Sequence, residues 1–568
     1  MVALLRALIV ILVVGLLAPV SSHAAFWDVS PIADDMFAAG DASLAIDGAG
    51  TVRVSYTASG GVYLASRVVG GWNIELVANA GYGGGWTAIA LNPSSGQPCI
   101  AFIDRTSETA VQLKFAHKPS TAWVIETVDT ALGEPDYVSL AFNASGQACI
   151  AYCKTTDTNP SHTYVCFARR IAPNSWAPQT IAEIGSITGP SMYIDSADTT
   201  WLTFADSTSG QLKIASGTGL GPWQVQGIDG GVTNPVIGYT SVAQQPGEGP
   251  AVAYFRASSD GLTLKYARRQ GMSWATEPVV DVANEGAYHC SLAIRRGQVP
   301  LIAYHDPTDM CLKCASKSAP SWRIEVVDPA LLTGFRPSLK LDSVGSAHVA
   351  YVDCFWFNVK YAWSPTPIQD AKLLRDGDPV QISAVAASSA TGELAPRIYV
   401  QDFERTCGIQ LYFTGTMPSV ARGTVLDIRG ALTTIDGERA IINPTVEEIG
   451  VPVTPAPLAL TNKAVGGGDF RYSSGPPATG QRGITGAVGL NNIGLLVTIW
   501  GEFSYVDSST FTVDDGSGVP VKCIVPSGVA LNPNWDYVSV TGISSCELAD
   551  GELHRLLRVR AASDIIAR

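Results

Sequence analysis

An all-β architecture is expected from this 568-residue sequence: a seven-bladed β-propeller closed by its N-terminal strand, followed by two small OB-like β-barrels. Three observations predict it. Tryptophans recur at Trp27, Trp72, Trp123, Trp176, Trp223, Trp274 and Trp322, at spacings of 45, 51, 53, 47, 51 and 48 residues, the length of a four-stranded propeller blade. A Ser-apolar-Ala anchor follows, lying 16 residues beyond Trp27, Trp72, Trp123 and Trp322. Between these landmarks apolar and polar residues alternate with period two, the pattern of half-buried strands and not of helices. Composition agrees: 56 glycines and 34 prolines without a collagen period fit a turn-rich β protein, and 46 % hydrophobic residues exclude dominant disorder.

In chain order, residues 1–24 read as a signal peptide. Arg6 is a positive n-region, Ala7 to Leu17 an apolar run, and Ser22-His23-Ala24 a small-x-small cleavage site. No later stretch is long enough to span a bilayer as a helix, so an exported chain with no membrane span after cleavage is expected, secreted, periplasmic or at the cell surface.

Residues 25–363 are the propeller. Its anchors begin at Ser43, Ala88, Ser139, Ser191, Ser241, Ser291 and Ser338. Each leads through a polar turn into a strand such as AVAYF or HVAYVD, then a second such as LTLKYA or NVKYAW, then the next tryptophan strand. Trp27 precedes the first anchor and no tryptophan strand follows Tyr361, so Phe26 to Ser30 is expected to complete the last blade and leave no open edge. The tryptophans themselves are read as packing between blades.

At Ser364-Pro365-Thr366-Pro367 the period stops. Residues 364–450 and 481–568 each hold five short strand patterns of an OB-like barrel, with Val380 to Ala386 and Leu495 to Phe503 as first strands. Residues 451–480, rich in proline and glycine, read as a linker. Net charge is −13, and residues 364–568 carry 21 acidic against 15 basic residues, so a nucleic-acid partner is not expected.

Eleven cysteines leave at least one unpaired within the chain. Cys523 and Cys546, on separate predicted strands, are the expected disulfide; Cys99 and Cys149 are read as small buried residues, and Cys311-x-x-Cys314 as strand positions on opposite faces. Neither a metal nor a cofactor is expected.

One propeller face is chemically richer. Trp86, Tyr137, Tyr239, Tyr288 with His289, and Phe335 with Arg336 precede the anchors by two or three residues and ring the channel mouth. The loops between second and third strands add Asp104, Arg105, Asp206, Arg256, His305, Asp306 and Asp353 on the same face. Aromatics beside carboxylates and guanidinium groups suit a sugar, whose C–H faces stack while its hydroxyls need polar partners. Asp at a strand end also makes Asx-turns, and an aromatic before an inner strand also plugs a channel. His305, Asp306 and Asp104 are the candidates for acid–base chemistry.

The repeat (anchor, polar turn, AY-x-D, LKYA, Trp-x-I-E) resembles the propeller repeats of secreted, mostly uncharacterised bacterial proteins, and the C-terminal third resembles tandem OB-type modules appended to such proteins. An exported propeller also loosely resembles the sialidase-type glycosidases. Their S-x-D-x-G-x-x-W box is absent here, and their arginine cluster has only scattered counterparts in Arg53, Arg105, Arg256 and Arg336. The expected role is therefore a noncatalytic exported recognition or cell-surface protein binding a glycan or extracellular protein on one propeller face. A carbohydrate-active hydrolase or lyase at that face, and a purely structural scaffold, are the alternatives.

Overall fold

A computed structural model describes residues 27–567, apart from segments 34–37, 69, 82–84, 108–109, 131, 134–136, 156–161, 187–188, 220, 246, 259–260, 283–288, 296–297, 319–320, 450 and 476–477. The expected signal peptide, Phe26 and Tyr288 lie outside the described residues. Among those described, no helix is long and apolar enough to cross a membrane.

Seven four-stranded antiparallel sheets make the propeller. Blades 1 to 6 span 38–79, 87–130, 138–184, 191–230, 236–282 and 290–328, each with its anchor strand innermost and its tryptophan strand outermost. Blade 7 takes three strands from 335–364, and its outer strand is Asp28–Ala33, paired antiparallel with Asn358–Ser364 in the register Asp28↔Trp363 and Ser30↔Tyr361. The first strand of the chain thus closes the ring.

Three repeated devices join blade to blade. Tryptophans of the outer strands pack edge-on against an aromatic of the preceding blade: Trp72 on Tyr361 at 5.2 Å, Trp176 on Phe115 at 5.2 Å, Trp223 on Phe167 at 5.0 Å and Trp322 on Tyr266 at 5.6 Å. Trp27 follows the same rule with a polar contact, its indole N–H donating to Glu325 of blade 6 at 3.2 Å. The anchor serines supply the second device. Ser43 Oγ accepts the Ile89 N–H of the next blade at 3.3 Å, and Ser139, Ser191, Ser241, Ser291 and Ser338 accept those of Met192, Val242, Leu292, Leu339 and Leu44 at 2.9–3.2 Å. Blade 2 carries Ala88 at this position and has no side-chain acceptor to offer blade 3. Third, a tyrosine of one blade donates to an aspartate ending the outer strand of the blade before it, as Tyr152 does to Asp129 and Tyr351 to Asp328, both at 2.7 Å.

Two barrels follow. In the first, Pro379–Ala387, Arg397–Gln401, Gly408–Tyr412, Val425–Ile435 and Glu438–Glu448 close in the order 1-2-3-5-4, with strands 3 and 5 parallel. Leu496–Asp507, Thr510–Asp514, Val521–Ile524, Tyr537–Ala549 and Glu552–Val559 repeat that order and close through the pairing of the first and fourth strands. Both have the OB strand order. Segment 451–480 is built into this assembly: Leu458 pairs with Val497, the buried Asn462 donates to the Val513 and Val519 carbonyls at 2.7 and 3.0 Å, and Phe470 packs on the core between blades 6 and 7.

The expected Cys523–Cys546 disulfide is not formed, and all eleven cysteines are free thiols. Strand Glu552–Val559 lies between the two cysteine-bearing strands, which puts them about 9.6 Å apart across the sheet, beyond the reach of a disulfide. Their side chains also face different cores, Cys523 inside the barrel and Cys546 beside Ile484, Ile493 and Leu553.

Candidate functional site

Seven residues occupy one register, two positions before each anchor: Asp41, Trp86, Tyr137, Gly189, Tyr239, His289 and Arg336. Here the chain enters the inner strands, so all seven converge on the propeller axis. Trp86 and Tyr137 lie with ring centroids 4.1 Å apart, Tyr137 and Tyr239 at 4.3 Å, and Tyr239 and His289 stack at 4.3 Å with planes 10° apart. The Arg336 guanidinium covers Trp86 at 3.7 Å. Tyr137 and Arg336 take φ of +62° and +52° to aim their side chains this way. Gly189 is glycine for the same reason, because a Cβ there would meet a Tyr239 ring carbon at 2.1 Å. These residues stack on one another and cap the channel.

Asp41 belongs to this cap although no sequence feature singled it out. It is 4 % exposed and accepts the Thr87 N–H at 3.0 Å. Burial pushes its pKa up to about 7 against the pull of Arg336. Counting two back from Ser43, as from every other anchor, would have found it.

The loop carboxylates do not converge; each is held inside its own blade. The lysine of successive LKYA-like strands pairs with the aspartate ending the neighbouring strand: Lys213 with Asp206 at 2.6 Å, Lys313 with Asp306 at 2.7 Å, Lys360 with Asp353 at 2.8 Å, and Lys114 with Asp104 at 4.0 Å. Asp306 is buried; burial raises its pKa, but the Lys313 ammonium outweighs that and holds the carboxyl below its usual range. His305 is buried too, its Nδ1 2.8 Å from the Thr333 carbonyl and its ring stacked on Phe335 at 4.0 Å. Burial keeps this imidazole below its ordinary pKa and so neutral. Arg256 bonds Asp229 at 3.0 Å, while Arg105 joins a backbone bond to Ala80 at 2.9 Å.

What this face does present is apolar. In the blade 7 loop, Phe355, Trp356 and Phe357 are 47, 58 and 56 % exposed. Asp353 shapes the turn by accepting the N–H groups of Phe355 and Trp356 at 3.0 and 3.1 Å. Backbone bonds from Leu332 N–H to the Met310 carbonyl (2.7 Å) and from Cys354 N–H to the Leu332 carbonyl (2.9 Å) tie three neighbouring loops together. That brings the exposed Met310 and Leu331 beside the aromatic tip. The signal was local: three consecutive aromatics fill a turn that reads Asp-Ser-Thr-Ser in blade 4 and Asp-Pro-Thr-Asp in blade 6.

A second concavity, of about 510 Å³, lies on the second barrel, lined by the exposed rings of Trp500 and Tyr537 together with Glu502, Asp514 and Asp515. Asp515 is partly used in holding the Asn462 N–H at 2.9 Å.

No family of known sequences matches the chain, and neither does any curated protein. Among solved structures it is similar to the BP39L lectin from Burkholderia pseudomallei (16 % identity over 58 % of this chain and 96 % of that one, TM-score 0.34). AofleA from Arthrobotrys oligospora gives 10 % identity over 55 % and 92 %, with a TM-score of 0.36. The polysaccharide lyase Uly1 gives 8 % over 62 % and 94 %, with a TM-score of 0.39.

Proposed function

We propose that the chain is an exported, noncatalytic recognition protein that engages the apolar surface of an extracellular protein through the capped face of its propeller. The observation carrying this reading is the Phe355-Trp356-Phe357 tip: three large rings held out in solvent by a shaped turn, next to Met310 and Leu331. Contiguous exposed apolar groups of this kind mark interaction sites, and aromatic anchors dominate interface energetics. Acid–base chemistry finds little support on this face, since Asp306, Asp353 and Asp104 are each engaged by a lysine of their own blade.

The test is capture on arrays of envelope and secreted proteins by the full chain and by a Phe355→Ala/Trp356→Ala/Phe357→Ala variant. Exposed residues should be replaceable with little effect on melting, while affinity for a captured partner should fall at least tenfold. A partner bound equally by both proteins would overturn the assignment of the tip.

A glycan is the second reading, and the second-barrel concavity favours it. Trp500 and Tyr537 offer stacking faces and Glu502, Asp514 and Asp515 offer acceptors for sugar hydroxyls. Glycan-array binding lost on Trp500→Ala but retained in the blade 7 variant would support it.

A further inference from the structure

Beneath the aromatic cap the inner strands enclose a lumen of about 150 Å³ whose wall is made chiefly of the anchor residues. All six anchor serines line it. Each of their oxygens already receives a backbone N–H from the next blade, so the one proton each hydroxyl owns is left to donate. None of the six donates to a protein acceptor among the described residues. The wall is therefore a ring of O–H donors.

Two cationic side chains join that wall, Arg336 and Lys340, against a single carboxylate, Asp41. Arg336 and Asp41 belong to the cap, where the guanidinium lies on Trp86 and Asp41 holds the Thr87 N–H. Lys340 has no such engagement. It sits two residues after Ser338, where five other blades carry alanine, and its ammonium makes no hydrogen bond or ion pair among the described residues. Its side chain is exposed to the water of the lumen, and partial desolvation by the inner strands around it lowers its pKa. A partly desolvated charge with no protein partner is satisfied best by an anion that enters the lumen beside it.

We propose that the propeller lumen is a binding site for a small inorganic anion, a halide or an oxyanion, held between the Lys340 ammonium and the hydroxyls of the serine ring. The volume sets the class. With about 30 Å³ per water, the space takes one such ion and a few waters and excludes a sugar chain or a peptide. The donor set favours negative charge, because the ammonium can only donate and each anchor hydroxyl, already accepting one N–H, keeps its proton free to donate.

Crystals of the full chain soaked in bromide, and in sulfate, are the direct test, with Lys340→Met as the control. The expected result is an anomalous bromide peak, or tetrahedral density in sulfate, in the lumen next to Lys340 Nζ and absent from the variant. The two soaks tell halide from oxyanion. In solution, at fixed ionic strength, the wild type should gain about 3 °C or more in melting temperature with saturation, whereas Lys340→Met should not respond. The variant loses only an unpaired charge, so in anion-poor buffer it should melt no lower than the wild type. Water alone in the lumen under both soaks, a peak that survives in Lys340→Met, or a peak without any saturable thermal response would each overturn the proposal.

Discussion

Replacing Ser338 by alanine removes the oxygen that receives the Leu44 N–H at 3.0 Å, at the seam where the last blade meets the first. A hydrogen bond of this kind contributes about 1 kcal/mol net, so the variant should melt a few degrees lower without change of fold by circular dichroism. Ala88→Ser is the reverse experiment, since blade 2 lacks the hydroxyl; a modest gain in melting temperature is expected there. Asp41 gives the residue scale a pH signature. Its native pKa of about 7 lies above the unfolded value of 3.8, so between those limits the native state keeps a proton that the unfolded state has released. Its contribution to stability is therefore greatest below about pH 4 and declines as pH rises to 7. Asp41→Asn should lose that decline: denaturant titrations should show the variant gaining on the wild type from pH 4 to pH 7.5, and parallel curves would contradict the burial of this carboxylate.

Among elements, the outer strand Asp28–Ala33 bears the largest structural responsibility for its length. Deleting residues 25–33 strips the partner from Asn358–Ser364 and leaves an unpaired edge beside Trp363 and Tyr361. Trp27 is only half-buried, so its own contacts are worth less than the roughly 3–5 kcal/mol of a fully buried aromatic, but the lost ladder adds to it. The deleted protein should aggregate, or melt far below the intact chain in scanning calorimetry; equal melting would refute closure by this strand. That closure was legible in the sequence because a count of tryptophans against anchors is a statement about topology, and period-two alternation reports burial directly. The strand order of the barrels was less legible. Cys523 and Cys546 sit on strands that are near in sequence but separated in the sheet, and local pattern carries no information about which strand inserts between two others. The same limit governed the candidate site. Register alone brought Trp86, Tyr137, Tyr239, His289 and Arg336 to one mouth, yet whether they ring it or stack across it depends on ring diameter and on Gly189 leaving space. The loop aspartates were ambiguous for a related reason, since their lysine partners are set by cross-strand pairing. Phe355-Trp356-Phe357 needed only a comparison of equivalent turns.

At the scale of the whole molecule, the propeller and the barrels are joined by buried chemistry. Arg295, at the end of the blade 6 inner strand, pairs with Asp370 of the short helix Ile368–Ala371, and both side chains are under 5 % exposed. Leu373 and Phe470 pack on the core between blades 6 and 7. The two barrels are joined in turn by Lys372 donating to the Ile493 carbonyl at 2.8 Å and by Glu438, which accepts from Ser545. A ligand held at the blade 7 tip and one held at Trp500 would thus be carried on one continuous body. The Arg295–Asp370 pair tests this coupling because breaking and replacing a buried pair have opposite consequences. Asp370→Ala leaves a buried guanidinium whose remaining partner among the described residues is the Gly345 carbonyl, at 2.9 Å. Such one-sided removal costs about 3–5 kcal/mol, so the first unfolding transition should fall by roughly 5–15 °C. Arg295→Met with Asp370→Leu removes both charges and keeps the volume, and should recover most of the loss. If Asp370→Ala instead melts like the wild type, the barrels are not seated on the propeller through this contact.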